Sequence, residues 1–277
     1  MTEIVSTETR ELLRSQKGSQ GRTYTWGGRQ YASVTSIISN GVPKPALVGW
    51  AKRVTAEVAV DNIDMLNQLV ANDPKGAVDW LKNAANRQRD EAASKGSAIH
   101  EATERIALGE PLDDVYEEAD DTTRQMLRQY EQFVKVVRPV YLAVEAVVYS
   151  NKHGYAGTLD AIIETDHEGI LAQLGLDRPA RLLIDTKSSK GVYAETGLQL
   201  AAYRYAEVIG LEDGREVPML EVDGAAVLHI RPRSWKLIPM DTGEEVFKSF
   251  IRAAGVAHYT WEVSQRIVGA PFVVGKA

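Results

Sequence analysis

The chain has 277 residues, a formal net charge of −6, 44% hydrophobic and 25% charged residues, and no cysteine. These values fit a soluble, folded protein with a sizeable core and exclude global disorder. The missing cysteines exclude disulfides, thiolate zinc sites and cysteine-ligated iron–sulfur clusters, and they fit a reducing cytoplasm.

From the N-terminus, Met1 to Lys17 carries charges of both signs and no apolar stretch. It does not read as a signal peptide, and no apolar run in the chain is long enough to cross a bilayer. The expected location is therefore cytoplasmic, with no membrane partner. Arg22–Trp26 and Arg29–Ser33 flank Gly27-Gly28 and predict a hairpin. Ser33 to Ser36 begins a short helix through Ile38, and Gly41 to Pro45 breaks the chain. A helix is expected from Ala46 to about Ala71. Asp73-Pro74 starts a longer one, with Asp73 at the cap, interrupted at Gly96 and ended by Gly109 and Pro111.

Glu110 to Asp121 then holds seven acids and no Lys or Arg, so the rest of the chain carries +1. Net charge alone thus gives nucleic-acid binding no support, yet leaves room for a local basic face. Another helix runs from about Asp120 to Val137. The pattern changes at Pro139: strands are expected over Val140–Ser150, Thr158–Thr165 and Arg181–Lys187, then a helix Ala194–Ile209 closed by Gly210. Strands Ala225–Ile230 and Trp235–Pro239 and a helix Glu244–Ile267 complete the chain. The expected fold is α/β, a mixed central sheet flanked by helices. The division is 1–138, a hairpin and helical portion, and 139–277, the core, packed as one unit.

One pattern carries chemistry. In Asp185-Thr186-Lys187 the acid and the lysine lie on one face of a strand, because alternate residues share a face. Asp160, 25 residues earlier, sits among Leu159, Ala161, Ile162 and Ile163 on the preceding strand. Antiparallel pairing of the two strands brings both carboxylates together. Two hard oxygen ligands suit Mg²⁺, and Lys187 beside them can orient water and stabilise charge on a phosphate.

Gly157-x-x-Asp160, Asp185-x-Lys187, Gln199-x-x-x-Tyr203 and, upstream, Gly96-x-x-x-His100 resemble, in order and spacing, the RecB-like branch of the PD-(D/E)XK nucleases. Ser33 to Ile38, Pro43 to Leu47 and Trp50-Ala51 look like phage-encoded members. The resemblance implies a restriction-endonuclease-like core. It makes His100, Asp160, Asp185 and the Thr186 carbonyl metal ligands and Lys187 the catalytic lysine, with Gln199 and Tyr203 facing the site. Glu145, in the apolar strand Val144 to Tyr149, matches the additional acid of many relatives. It implies one or two Mg²⁺ or Mn²⁺ ions, a histidine ligand favouring Mn²⁺. The four cysteines of the iron–sulfur relatives are absent. The implied activity is a DNA exonuclease of phage recombination, repair or replication, acting in the host cytoplasm, often beside a single-strand annealing protein.

Other readings stand next to these. A structure-specific or restriction-type endonuclease fits the same motifs, as does a non-catalytic DNA-binding protein on a nuclease scaffold. His100 also fits an ordinary helix histidine, Gln199 the third helical residue of a capping box with Thr196, Tyr203 a packing role, and Glu145 an ion pair. Ser188, Ser189 and Lys190, directly after the active-site strand, and Arg204 are candidate phosphate contacts, as are Arg87, Arg89, Lys95, Arg231, Arg233 and Lys236. Trp50, Trp80 and Trp235 fit core packing better than base stacking.

Overall fold

A computed structural model describes residues 5–6, 14–18, 21–211 and 214–272, the first two segments by backbone alone. Most of the charged stretch Met1 to Lys17 lies outside them. By its internal contacts the chain forms two units. One is Met1–Val42 with Ala102–Ala277, the other Pro43–Glu101. A division at 138 is therefore not where the contacts divide the chain. The hairpin belongs to the larger unit because its second strand pairs with the central sheet.

In chain order the elements are β1 (Val5–Ser6), β2 (Arg14–Gly18), β3 (Gly21–Trp26), β4 (Arg29–Ser33), α1 (Val34–Gly41), α2 (Pro45–Asp61), α3 (Ile63–Asn72), α4 (Pro74–Lys82), α5 (Ala84–Ala107), α6 (Leu112–Glu118) and α7 (Asp121–Val137). There follow β5 (Val140–Ser150), β6 (Tyr155–Thr165), α8 (Glu168–Leu174), β7 (Ala180–Lys187), α9 (Glu195–Arg204), β8 (Val208–Gly210), β9 (Glu216–Pro218), β10 (Gly224–Arg231), β11 (Ser234–Met240) and α10 (Glu244–His258).

The smaller unit is helical. The helix expected over Ala46–Ala71 is two, broken at Asn62, whose side-chain amide donates to the Val58 carbonyl at 2.9 Å. Asp73 caps α4 as expected, accepting from the Gly76 N–H at 2.9 Å. The interruption lies at Asn83 rather than Gly96: Asn83 leaves helical geometry and its amide bonds the Asp79 carbonyl, while α5 runs unbroken through Gly96. Asparagine amides compete with the backbone for helix hydrogen bonds, and here they outweigh the glycine. Val54, Ala84 and Ala85 form the small core, with Trp50 packed on it; Arg87 lies over the Trp80 ring at 4.7 Å.

The larger unit is α/β, with a mixed central sheet flanked by helices. The sheet runs β11-β10-β7-β6-β4-β3-β2, and β5 also pairs β6 on its way to β1, β8 and β9. β5–β6–β7 are antiparallel, while β10 lies parallel to β7. The Gly27-Gly28 turn has positive φ at both residues (54° and 76°), the left-handed pair a two-residue hairpin needs. One core cluster lies against α1, α9 and α10, with Phe250 edge-on to Tyr155 at 5.0 Å. The α1–α10 crossing is tight at Gly41, where a Cβ would lie 2.1 Å from the Ala253 carbonyl oxygen. Trp235 packs edge-on against Phe133 of α7 at 5.6 Å.

Two helices escaped the sequence reading. α6 forms inside the acidic segment because Val115 is buried and Arg105 bridges Glu110 and Glu118. α8 fills the connection between β6 and β7. The helix expected over Ala194–Ile209 stops at Arg204. Val208 to Gly210 instead pair antiparallel with Val147 to Tyr149 of β5, because β-branched residues gain more from an open sheet edge than from another helical turn. The last helix ends at His258, followed by a π turn and a 3₁₀ turn. No helix among the described residues is long and apolar enough to cross a membrane.

Candidate functional site

Strand register builds the site. In β5–β6, Val144 pairs Ala161 and Ala146 pairs Leu159, which sets Glu145 opposite Asp160. In β6–β7, Ala161 pairs Ile184, and one step further along the same register stands Asp160 beside Asp185. Three carboxylates thus form one row across three adjacent strands. The β6–β7 ladder ends at this row, and the Asp160 Oδ2 takes over its role, accepting the Thr186 N–H at 2.7 Å. β7 then continues against β10, where Asp185 pairs Val227.

Glu145 has φ 46°, in the left-handed region, in the middle of a strand. A residue with a Cβ is held there at a cost of about 1–2 kcal/mol, and such strain concentrates at functional sites. Glu145 and Asp160 each offer a ligand atom; His100 lies on the last turns of the helix Ala84–Ala107. Those of Glu145 and Asp160 lie within 4.8 Å of one another.

Asp185 is 1% exposed. Burial of a carboxylate is costly unless it is paired, and two neighbours answer it. Lys187 Nζ lies 2.7 Å from each carboxylate oxygen, and Gln199 Nε2 donates to Oδ1 at 3.2 Å. Burial opposes the charge on Lys187, but Asp185 and Asp160 outweigh it and raise the lysine pKa above its ordinary value. Gln199 also donates to the Tyr203 hydroxyl at 3.2 Å. Burial first, then Tyr24 and the charges of Asp160 and Asp185, pushes the Tyr203 phenol well up, so it stays neutral. Thr196 is the second residue inside α9 rather than its cap, so Gln199 serves the site and not a capping box.

Gly157 of the G-x-x-D motif has a concrete reason. A Cβ there would lie 2.5 Å from the Tyr203 ring. The glycine lets the phenol reach over β6 to meet Gln199.

The candidate phosphate contacts divide. Ser188 and Ser189 are fastened by their backbones: Arg231 donates to the Ser188 carbonyl, and His229 Nε2 lies 2.8 Å from the Ser189 carbonyl oxygen. The Ser189 hydroxyl donates to Gly191 at 2.7 Å. Lys190 is exposed. Arg204 donates to Thr242 at 3.1 Å and to the Val222 carbonyl at 3.2 Å. The sequence reading missed His229; its signal was the polar residue at the end of the apolar run Ala225–Leu228. No family model matches the chain, and no curated protein does.

Proposed function

We propose that the chain is a metal-dependent nuclease of the PD-(D/E)XK class, in its RecB-like branch, hydrolysing DNA phosphodiesters as an exonuclease. The observation that carries this reading is the row Glu145–Asp160–Asp185 with Lys187 two residues beyond Asp185 on the same strand. The carboxylate donors suit Mg²⁺ or Mn²⁺, and the resemblance adds the His100 imidazole, which favours Mn²⁺. Such an ion, when bound, supplies Lewis-acid activation of water and of the phosphate.

The chain's own residues do the rest. Glu145, Asp160 and Asp185 hold the cations that offset a phosphate's charge. Lys187 keeps its proton and presents an ammonium to the phosphate oxygens, where charge develops in the transition state. Gln199, itself held by Tyr203, fixes the Asp185 carboxylate, and the Thr186 N–H fixes Asp160. The resemblance of the four motifs to phage exonucleases favours ends over internal sites. Covalently closed circular DNA tests that part: an exonuclease leaves circles intact and degrades them once linearised, and cleavage of closed circles contradicts it.

A further inference from the structure

The carboxylate row has a neighbour. In β7–β10 Lys187 pairs His229, and in β10–β11 His229 pairs Lys236. Directly opposed residues share a face, and Lys187 shares its face with Asp185, two residues away. A row of nitrogen-bearing side chains, Lys187–His229–Lys236, with a lysine at each end, therefore lies next to the acidic one, displaced by about 6.6 Å along the strands.

Arg233 in the β10–β11 turn and Lys190 after β7 extend it, and both are exposed, as is Lys236. None of Lys190, Arg231, Arg233 and Lys236 makes an ion pair among the described residues. Other surface cations do pair with acids, Lys95 with Glu91 and Lys248 with Glu244 for example. The segment is also fixed, because Arg231 and His229 clamp the backbone of Ser188 and Ser189 that leads into Lys190. Unpaired, positioned cations beside an anionic metal-binding row are what a polyanion's backbone meets on its way from the reacting phosphate.

We infer that the row His229–Lys236, with Lys190 and Arg233, is the track for the nucleic-acid strand flanking the reacting phosphate, gripping its backbone without reading bases. It deepens the nuclease reading and rests on it. Three adjacent strands span about 10 Å, the length of about three stacked nucleotides at ~3.4 Å each.

The test is equilibrium binding of a fluorescein-labelled oligodeoxynucleotide, single-stranded and duplex, to the full chain without divalent ions over a range of salt. Wild type is compared with R233A/K236A and, as a control, K135A, whose lysine is on α7 and paired with Glu131. Each phosphate contact contributes about 0.7 (single strand) to 0.9 (duplex) to the slope of log K against log salt. The double variant loses about 1.4 to 1.8 of slope and about tenfold of affinity, and K135A loses neither. Equal slopes in wild type and double variant, or no binding by wild type, overturn the track. Cleavage with Mg²⁺ or Mn²⁺ is scored separately. Wild type that cleaves while the slopes are equal sinks the track alone; wild type that binds with the expected slopes but never cleaves sinks the nuclease reading alone.

Discussion

Gln199 touches no backbone in its role; its amide joins the Asp185 carboxylate to the Tyr203 hydroxyl. In the proposed nuclease centre it is a positioning residue, so Gln199→Ala is expected to lower metal-dependent cleavage by about 10- to 100-fold, the usual cost of losing a group that orients a ligand. Gln199→Glu keeps the length but sets a second carboxylate against Asp185 and is expected to shift the pH dependence, which loss of packing alone would not do. Gly157→Ala drives a methyl into the Tyr203 ring. It is expected to destabilise the fold by about 1–3 kcal/mol, measured by chemical unfolding; unchanged stability would mean the ring moves freely. At this scale the sequence was legible where chemistry follows strand alternation, as for Asp185 and Lys187. The left-handed backbone of Glu145 was not, since an acid in an apolar strand carries no mark of its φ. Nor was the reason for Gly157, because its contact is a ring on a helix far along the chain.

At the scale of elements, β7 and β10 are tied at their starting ends by Asp223. Its carboxylate accepts both Arg178 guanidinium nitrogens, at 3.0 and 2.6 Å, and the Arg181 N–H at 2.9 Å. Arg178 chiefly, against some burial, holds the Asp223 pKa below its ordinary value. A depressed carboxylate pKa stabilises the folded state above the unfolded pKa, about 4, and that stabilisation fades as pH falls through the folded value. Asp223→Asn is thus expected to cost about 1 kcal/mol at neutral pH, and the gap from wild type to close below about pH 4. A gap independent of pH would show that the contact acts by packing. The strands around the site were legible from apolar runs and turns. The helix breaks at Asn62 and Asn83 were not, because a side-chain amide bonding its own helix resembles any polar surface residue. β8 was misread because its partner, β5, lies elsewhere in the sequence.

For the whole molecule, the α/β class followed from the order of strands and helices, but the division into units did not. The hairpin Gly21–Ser33 joins the central sheet by a parallel pairing of Ala32 and Ser33 with Tyr155 and Ala156, a long-range contact that no local pattern announces. A folded state that binds Mn²⁺ through Glu145 and Asp160 gains stability by mass action, about 2.7 kcal/mol at a hundredfold excess over Kd. That corresponds to a rise in Tm of about 5–10 °C for a chain of this size, absent in Asp160→Asn. A wild-type Tm indifferent to Mn²⁺ would contradict the metal site. The central claim, that Glu145, Asp160, Asp185 and Lys187 form a nuclease centre, is tested most directly on end-labelled linear DNA, single- and double-stranded, with Mg²⁺ and with Mn²⁺. The expected result is metal-dependent release of label by wild type, lowered at least about a hundredfold in Asp185→Ala and in Lys187→Ala. No cleavage by wild type under any of these conditions, or full activity in either variant, would contradict it.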